Sequence, residues 1–263
     1  MLGVVSSAEM SAADRWRELQ DARAVPPEIL AAAPRSPWEH DPAHFGAPAQ
    51  PAGSPSRSTA LRLLGDSNGI VLDVGCGGGR ASLAVADAAG QLIGVDHDPR
   101  MVEAFTATCA ARGIEHRAVP GEWPSVAAEA GLVDGAADVV VCHHVGYNTV
   151  DLTPFLAALS AATRRGVVVE LTARHPMAWL DPLWARFHDV HRGEPATAED
   201  AVAVLAELGI GPTVIRWDRQ ARQPADPTWV ARRLCLPESR VAEVAEALAD
   251  LPKRPTEMVT ITW

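Results

Sequence analysis

A chain of 263 residues, 48% hydrophobic and 21% charged, is long enough to bury a sizeable core and has the composition of a globular protein. Its formal net charge of −10, with Lys253 as the one lysine, argues against nucleic acid as a partner, since binding a polyanion draws on clustered Lys and Arg. No window reaches the roughly 18 uncharged apolar residues of a membrane span, and Cys76, Cys109, Cys142 and Cys235 lack CxxC spacing, so free thiols in a reducing cytoplasm are expected.

In chain order, residues 11–23 read as a helix, because Ser11 and Asp14 form a capping pattern ahead of Trp16 and Leu19. A short helix can start at Pro27. From Pro34 to Ser58 the chain is rich in Pro, Gly, Ala and Ser; "GAPAQPAGSPS" reads as a linker, and just before it "SPWEHDPAHF" places His40 and His44 between two aromatics. Beyond residue 59, apolar strand runs ("GIVLDV", "QLIGVD", "IEHRAV", "ADVVVC", "VVVEL", "PTVIRW", "EMVTITW") alternate with amphipathic stretches. This predicts a doubly wound α/β fold: a mostly parallel, seven-stranded Rossmann-like sheet covered on both faces. Asp98, Thr153, Thr197 and Asp226 are expected helix caps, and Gly90, Gly113, Gly166 and Gly209 expected stops. Arg164 and Arg165 then fall in a last helical turn, and Arg232 and Arg233 on a solvated helix face. Cys109 extends the Met101 and Phe105 stripe and reads as core. The expected division is 1–58 as N-terminal helices and linker, a possible cover for the site, and 59–263 as the main domain, with an insertion at about 172–196 and extra helices at about 226–250.

The stretch "VLDVGCGGGR", Val71 to Arg80, ends a strand in an aspartate and four glycines among five residues. Such a turn lets backbone approach a ligand, and exposed N–H groups at a helix start suit an anionic group. A dinucleotide fingerprint requires a third glycine where Arg80 stands, and a P-loop requires Lys followed by Ser or Thr. Neither is present.

The pattern Asp73-x-Gly75-x-Gly77-x-Gly79, followed by "LIGVDHDP", resembles the first two motifs of class I S-adenosylmethionine-dependent methyltransferases over residues 69–105, with a compatible layout to about 217. The resemblance implies S-adenosyl-L-methionine as cofactor. Gly75, Cys76 and Gly77 would face its methionine end, with Asp73 near the ammonium group. Asp96 would accept the ribose hydroxyls and His97 would lie beside adenine; Glu122, with Trp123 as a wall, matches the family's adenine-binding acid. At the end of the fourth strand, "CHHVGYN" puts Cys142 by the cofactor and His143 or His144 near the transferred methyl, with His144 favoured as base. Adjacent strand residues face opposite ways, so the two histidines are not expected at one atom. Tyr147, Asn148, His175, Trp184 and Trp38 are candidate substrate contacts, with Phe187, His188 and His40 nearby in the covering segments. Trp184, Phe187 and His188 also keep the i, i+3, i+4 spacing of a packed stripe. No metal-ligand spacing is present. The resulting expectation is a methyltransferase acting on an oxygen or nitrogen of a small molecule, the alternatives being an RNA or protein methyltransferase and a non-catalytic cofactor-binding protein.

Overall fold

The computed structural model describes residues 10–38, 53–220 and 224–263. All seven expected strands form: β1 (Gly69–Val74), β2 (Ala89–Asp96), β3 (His116–Pro120), β4 (Ala137–His143), β5 (Thr163–Thr172), β6 (Thr213–Asp218) and β7 (Glu257–Thr262). They make one sheet in the order β3-β2-β1-β4-β5-β7-β6, in which only β7 runs against its neighbours. Between β1 and β4 the strand order reverses, and the carboxyl edge at such a reversal is where doubly wound sheets open a crevice.

Alternation along the strands sorts the core. Val71, Leu92, Val139, Val141 and Val168 pack with α3 (Pro55–Leu64), α4 (Arg80–Leu83) and α5 (Pro99–Ala111) on one face. Leu72, Ile93, Val140, Cys142 and Val169 pack on the other, with α1 (Ala12–Asp21), α6 (Leu152–Ala162) and α8 (Ala198–Glu207). A third core unites α7 (Asp181–His188), α9 (Pro227–Arg233) and α10 (Val241–Ala249) around Leu180, Trp184, Val230, Leu234 and Val244, and takes in Val25 from the N-terminal segment just ahead of α2 (Pro27–Ala32). The insertion and the extra helices, distant in sequence, thus form one helical unit with its own core.

Several local expectations change. The stretch ahead of Gly90, an expected helix stop, is helical for only four residues and one 3-10 turn, because β2 starts at Ala89 and carries Gly90 at a register shift against β1. Helix α6 starts at Leu152, ahead of Thr153, without a side-chain cap. Strand pairing to β4 claims Thr163 through Gly166, so Arg164 and Arg165 are strand residues. Arg164 instead binds Asp138, and Arg165 donates to the Leu63 and Leu64 carbonyls, so its charge serves the C-terminus of α3. Ser54 caps α3, which places that helix's first turn inside the expected linker. Arg233 is buried rather than solvated, donating to the Pro37 carbonyl and lying over the Trp229 ring.

The N-terminal segment is part of the fold. Trp16 is fully buried, its indole N–H donates to the Thr149 carbonyl, and its ring stacks on Tyr147 at 5.7 Å. Gln20 donates to the Tyr147 carbonyl, and the buried Arg23 makes a bidentate pair with Asp181 at 2.7 and 2.9 Å. These contacts tie α1 and the turn after it to the loop following β4 and to the helical unit. Among the described residues no helix is long and apolar enough to cross a membrane.

Candidate active site

The turn after β1 carries three left-handed glycines, with φ of +71° at Gly75, +52° at Gly77 and +89° at Gly79. A Cβ on Gly75 would lie 2.3 Å from a methyl of Val145, in the loop after β4, so the absent side chain lets two loops meet. The amides, however, turn inward. Gly75 and Cys76 both donate to the Val95 carbonyl at 2.8 and 3.0 Å, Gly79 to the Cys76 carbonyl at 2.8 Å, and Gly77 to Asp96 Oδ2 at 2.9 Å. This corrects the expectation of N–H groups presented to an anion, and α4, at four residues, adds little dipole. The corner offers close approach without a phosphate cradle, which suits the uncharged sugar and zwitterionic end of S-adenosylmethionine better than a nucleotide.

Two carboxylates flank the turn on one face of the sheet. Asp73 is buried and accepts from the Ser82 hydroxyl at 2.7 Å and the Ser82 amide at 3.1 Å. Burial raises its pKa to about 6 against the pull of those two bonds, and the charge of Asp96 adds to the rise. Asp73 therefore anchors α4 to β1 instead of standing as an open acceptor at the strand tip. Asp96 is 8% exposed and held from two sides, by the Gly77 amide and by the Asp98 amide at 3.0 Å. Each oxygen keeps a lone pair for a ligand at the rim. His97 is largely exposed beside it, with Nδ1 3.5 Å from Asp96 Oδ1.

Several expected contacts are packing groups. Cys76 is buried under the turn, with burial and the charges of Asp73 and Asp96 pushing its thiol pKa up. Trp123 lies in the second-face core and its indole donates to the Phe155 carbonyl at 3.4 Å, so it is no adenine wall; Glu122 beside it is exposed. Cys142 points into that same core, away from the face that carries Asp73 and Asp96. Tyr147 is 3% exposed, gives its hydroxyl proton to the Thr172 carbonyl at 2.7 Å and meets the His175 ring at 5.4 Å, so it positions neighbouring segments. Asn148 is exposed, its amide closing a turn onto the Val145 carbonyl. Trp184 belongs to the third core with His188, whose ring contacts the Leu234 carbonyl, as stripe spacing allows. Trp38 is exposed, while His40 and His44 lie outside the described residues. His175 lines a cleft; burial, with the charges of Arg23 and Arg192, pushes its pKa down to about 3.

The histidine pair behaves differently from simple alternation. His143, Glu170 and Thr260 are register partners across β4, β5 and β7 and therefore share the face of Asp73. His144 sits just past the strand with φ of +64°; its amide donates to the Glu170 carbonyl at 2.8 Å, and its Nε2 lies 3.3 Å from Glu170 Oε1. Leaving the strand turns His144 back to the same carboxylate as His143. Burial raises the pKa of Glu170, but the charge of His143, the His144 contact and a hydrogen bond from Ser56 outweigh it, so the group stays below the usual carboxylate range. Burial pushes His143 down to about 4 and keeps it neutral near pH 7. Behind Glu170, Ser56 and Thr260 share a 2.7 Å hydrogen bond, and Trp217 donates to Thr260. Sequence reasoning passed over Glu170 and Ser56. A single acid inside the apolar run "VVVEL" is the signal that could have found the first, since a buried carboxylate has a partner. Nothing local marks the second.

Sheet order, glycine turn and the acid ending β2 together define the Rossmann-like fold of class I methyltransferases. Residues 71–166 match the family model described as "Methyltransferase domain", so this part of the chain is a methyltransferase domain, for which S-adenosylmethionine is the implied cofactor. Solved structures agree on the fold at low identity. The YcgJ protein of Bacillus subtilis is 16% identical with a TM-score of 0.56, the alignment covering 79% of this chain and 96% of that one. A candidate methyltransferase of Bacillus halodurans C-125 is 14% identical with a TM-score of 0.54, covering 78% and 96%. A candidate sarcosine dimethylglycine methyltransferase of Galdieria sulphuraria is 11% identical with a TM-score of 0.53, covering 78% and 82%. No curated protein sequence matches the chain.

Proposed function

We propose that the protein methylates an oxygen or nitrogen of a small molecule, with His144 as the base and Glu170 as the group that positions it. The observation that supports this reading is the His144 Nε2 to Glu170 Oε1 approach of 3.3 Å at the carboxyl end of β4, beside the glycine turn that Val145 touches. An ionised Glu170 draws the imidazole proton to Nε2 and leaves Nδ1 with its lone pair to take a proton from the acceptor. It also stabilises the imidazolium that results. The cofactor supplies an electrophilic methyl on a sulfonium centre. On this reading Gly75 and Gly77 admit its amino-acid end, Asp96 accepts from the ribose hydroxyls, and His97 and Glu122 stand on the adenine side.

His144→Ala should lower kcat by about 100-fold while leaving the affinity for S-adenosylhomocysteine unchanged by calorimetry. Glu170→Gln should lower kcat by about tenfold while leaving KM and the affinity for S-adenosylhomocysteine unchanged, and a kcat at the parent's level would remove Glu170 from this role. The acceptor class is tested by incubating the protein with methyl-labelled cofactor and fractionated cell extract. Label in small metabolites supports the proposal. Label confined to RNA or protein, or bound cofactor with no transfer at all, would replace it.

A further inference from the structure

We infer that the acceptor is a small, flat organic acid, held by its carboxylate or phosphate in the cleft between β5 and the helical unit; this rests on the methyl-transfer reading above. The cleft has a volume of about 640 Å³ and runs from Arg80, the residue after the glycine turn, past Thr172 at the end of β5 to Trp179 and Trp229. That size suits a small molecule.

Its charge is opposite to that of the protein as a whole. In a chain of net charge −10, six cations line this one concavity: Arg80, Arg174, Arg219, Arg232, Lys253 and Arg254. Among the described residues two carboxylates join them, and both have structural partners. Asp181 is held by Arg23, and Asp226 caps α9 by accepting from the Thr228 amide. Several like charges gathered around a cavity repel one another, and a bound anion relieves that repulsion. Nothing in the packing calls for cations at Arg174 and Lys253, whose side chains are exposed.

Geometry adds a preference for shape. The Arg254 guanidinium lies 4.0 Å from the Trp179 ring centroid and 5.6 Å from that of Trp229. Stacking fixes the plane of the fork, and a planar fork recognises carboxylate or phosphate in a bidentate way. Arg232 presents a buried Nε with no hydrogen-bond partner among the described residues. Both indoles are partly exposed and give the cleft flat apolar walls beside this cationic lining.

The test uses calorimetry on the full chain saturated with S-adenosylhomocysteine. Three probes are titrated: 4-hydroxybenzoate, phenyl phosphate and the neutral 4-hydroxybenzamide. The inference expects one or both acids to bind at least about tenfold more tightly than the amide, a difference of ~1.4 kcal/mol, and to weaken as salt is raised. The two acid arms distinguish carboxylate from phosphate recognition. Arg254→Gln should erase the preference for acids. Because Arg254 also packs on two indoles, the exposed Arg174→Gln serves as a second variant that should reduce the preference without altering the fold. Equal binding of acid and amide, no binding of either acid, or a preference untouched by both substitutions would overturn the inference. The cofactor titration separates the two readings: binding of S-adenosylhomocysteine without the acids discards the cleft assignment alone, whereas failure to bind S-adenosylhomocysteine discards the methyl-transfer reading and this inference with it.

Discussion

The two sides of the candidate site are built by different means. On the β1–β2 side, residues 73–98 supply a corner made of backbone: three left-handed glycines, amides turned inward, and one carboxylate pinned by two N–H groups. On the β5 side, side chains do the work, and they come from α1, the loop after β4, the insertion, α9 and the segment before β7. The difference is one of locality. A corner that must fit one cofactor is written in a short, contiguous motif, while a surface that must fit a particular acceptor is assembled from segments far apart in sequence.

Breaking one side should spare the other. The largest effect is expected from Trp16→Ala, which empties a fully buried indole site and undocks α1: a loss of about 3–5 kcal/mol in denaturant unfolding, with affinity for S-adenosylhomocysteine retained by the molecules that remain folded. Gly75→Ala attacks the cofactor side instead. Its Cβ would collide with Val145 at a backbone φ of +71°, and cofactor affinity should fall by about 100-fold, ~2.7 kcal/mol, in a calorimetric titration. If Gly75→Ala binds normally, the close-approach role of the turn is wrong.

A smaller, pH-dependent effect should single out the acceptor side. The pKa of His175 falls from the ordinary 6.5 to about 3 in the folded protein, so its neutral form is favoured there. The stability linked to this group is complete above pH 6.5 and is lost as pH falls toward 3. At pH 5 the loss amounts to about 2 kcal/mol, from 1.36 kcal/mol per pH unit. His175→Gln, which cannot take up a proton, should therefore unfold at lower pH than the parent when followed by circular dichroism. Coincident acid transitions would contradict the assignment.

How much could be read in advance follows the same division. All seven strands announced themselves as apolar runs, and Ser11, Asp98, Thr197 and Asp226 act as caps, because these signals are local. Met101, Phe105 and Cys109 are buried as their spacing indicates. The corner was legible in outline through Asp73, the glycines and Asp96, although the inward turn of its amides depends on Val95 and Asp96, which sequence order does not place against them. Arg164 and Arg165 were misplaced because strand pairing overrode an apparent helix end. Trp123, Cys142, Tyr147 and Trp184 have the right chemistry for a site, but facing direction and neighbours decide their use, and all four are packed. Glu170 stands out as an acid in an apolar run, but its pairing with the two histidines appears only when β5 meets β4, and the cationic cleft only when residues 80, 174, 219, 232, 253 and 254 converge.

The central claim is that the β1–β2 corner seats S-adenosylmethionine with Asp96 on its sugar. Titrating S-adenosylhomocysteine into the parent protein and into Asp96→Asn tests it most directly. Saturable one-to-one binding that weakens by about tenfold or more, ~1.4 kcal/mol, in the variant is the predicted result; no binding to the parent, or identical affinity in both, would contradict it.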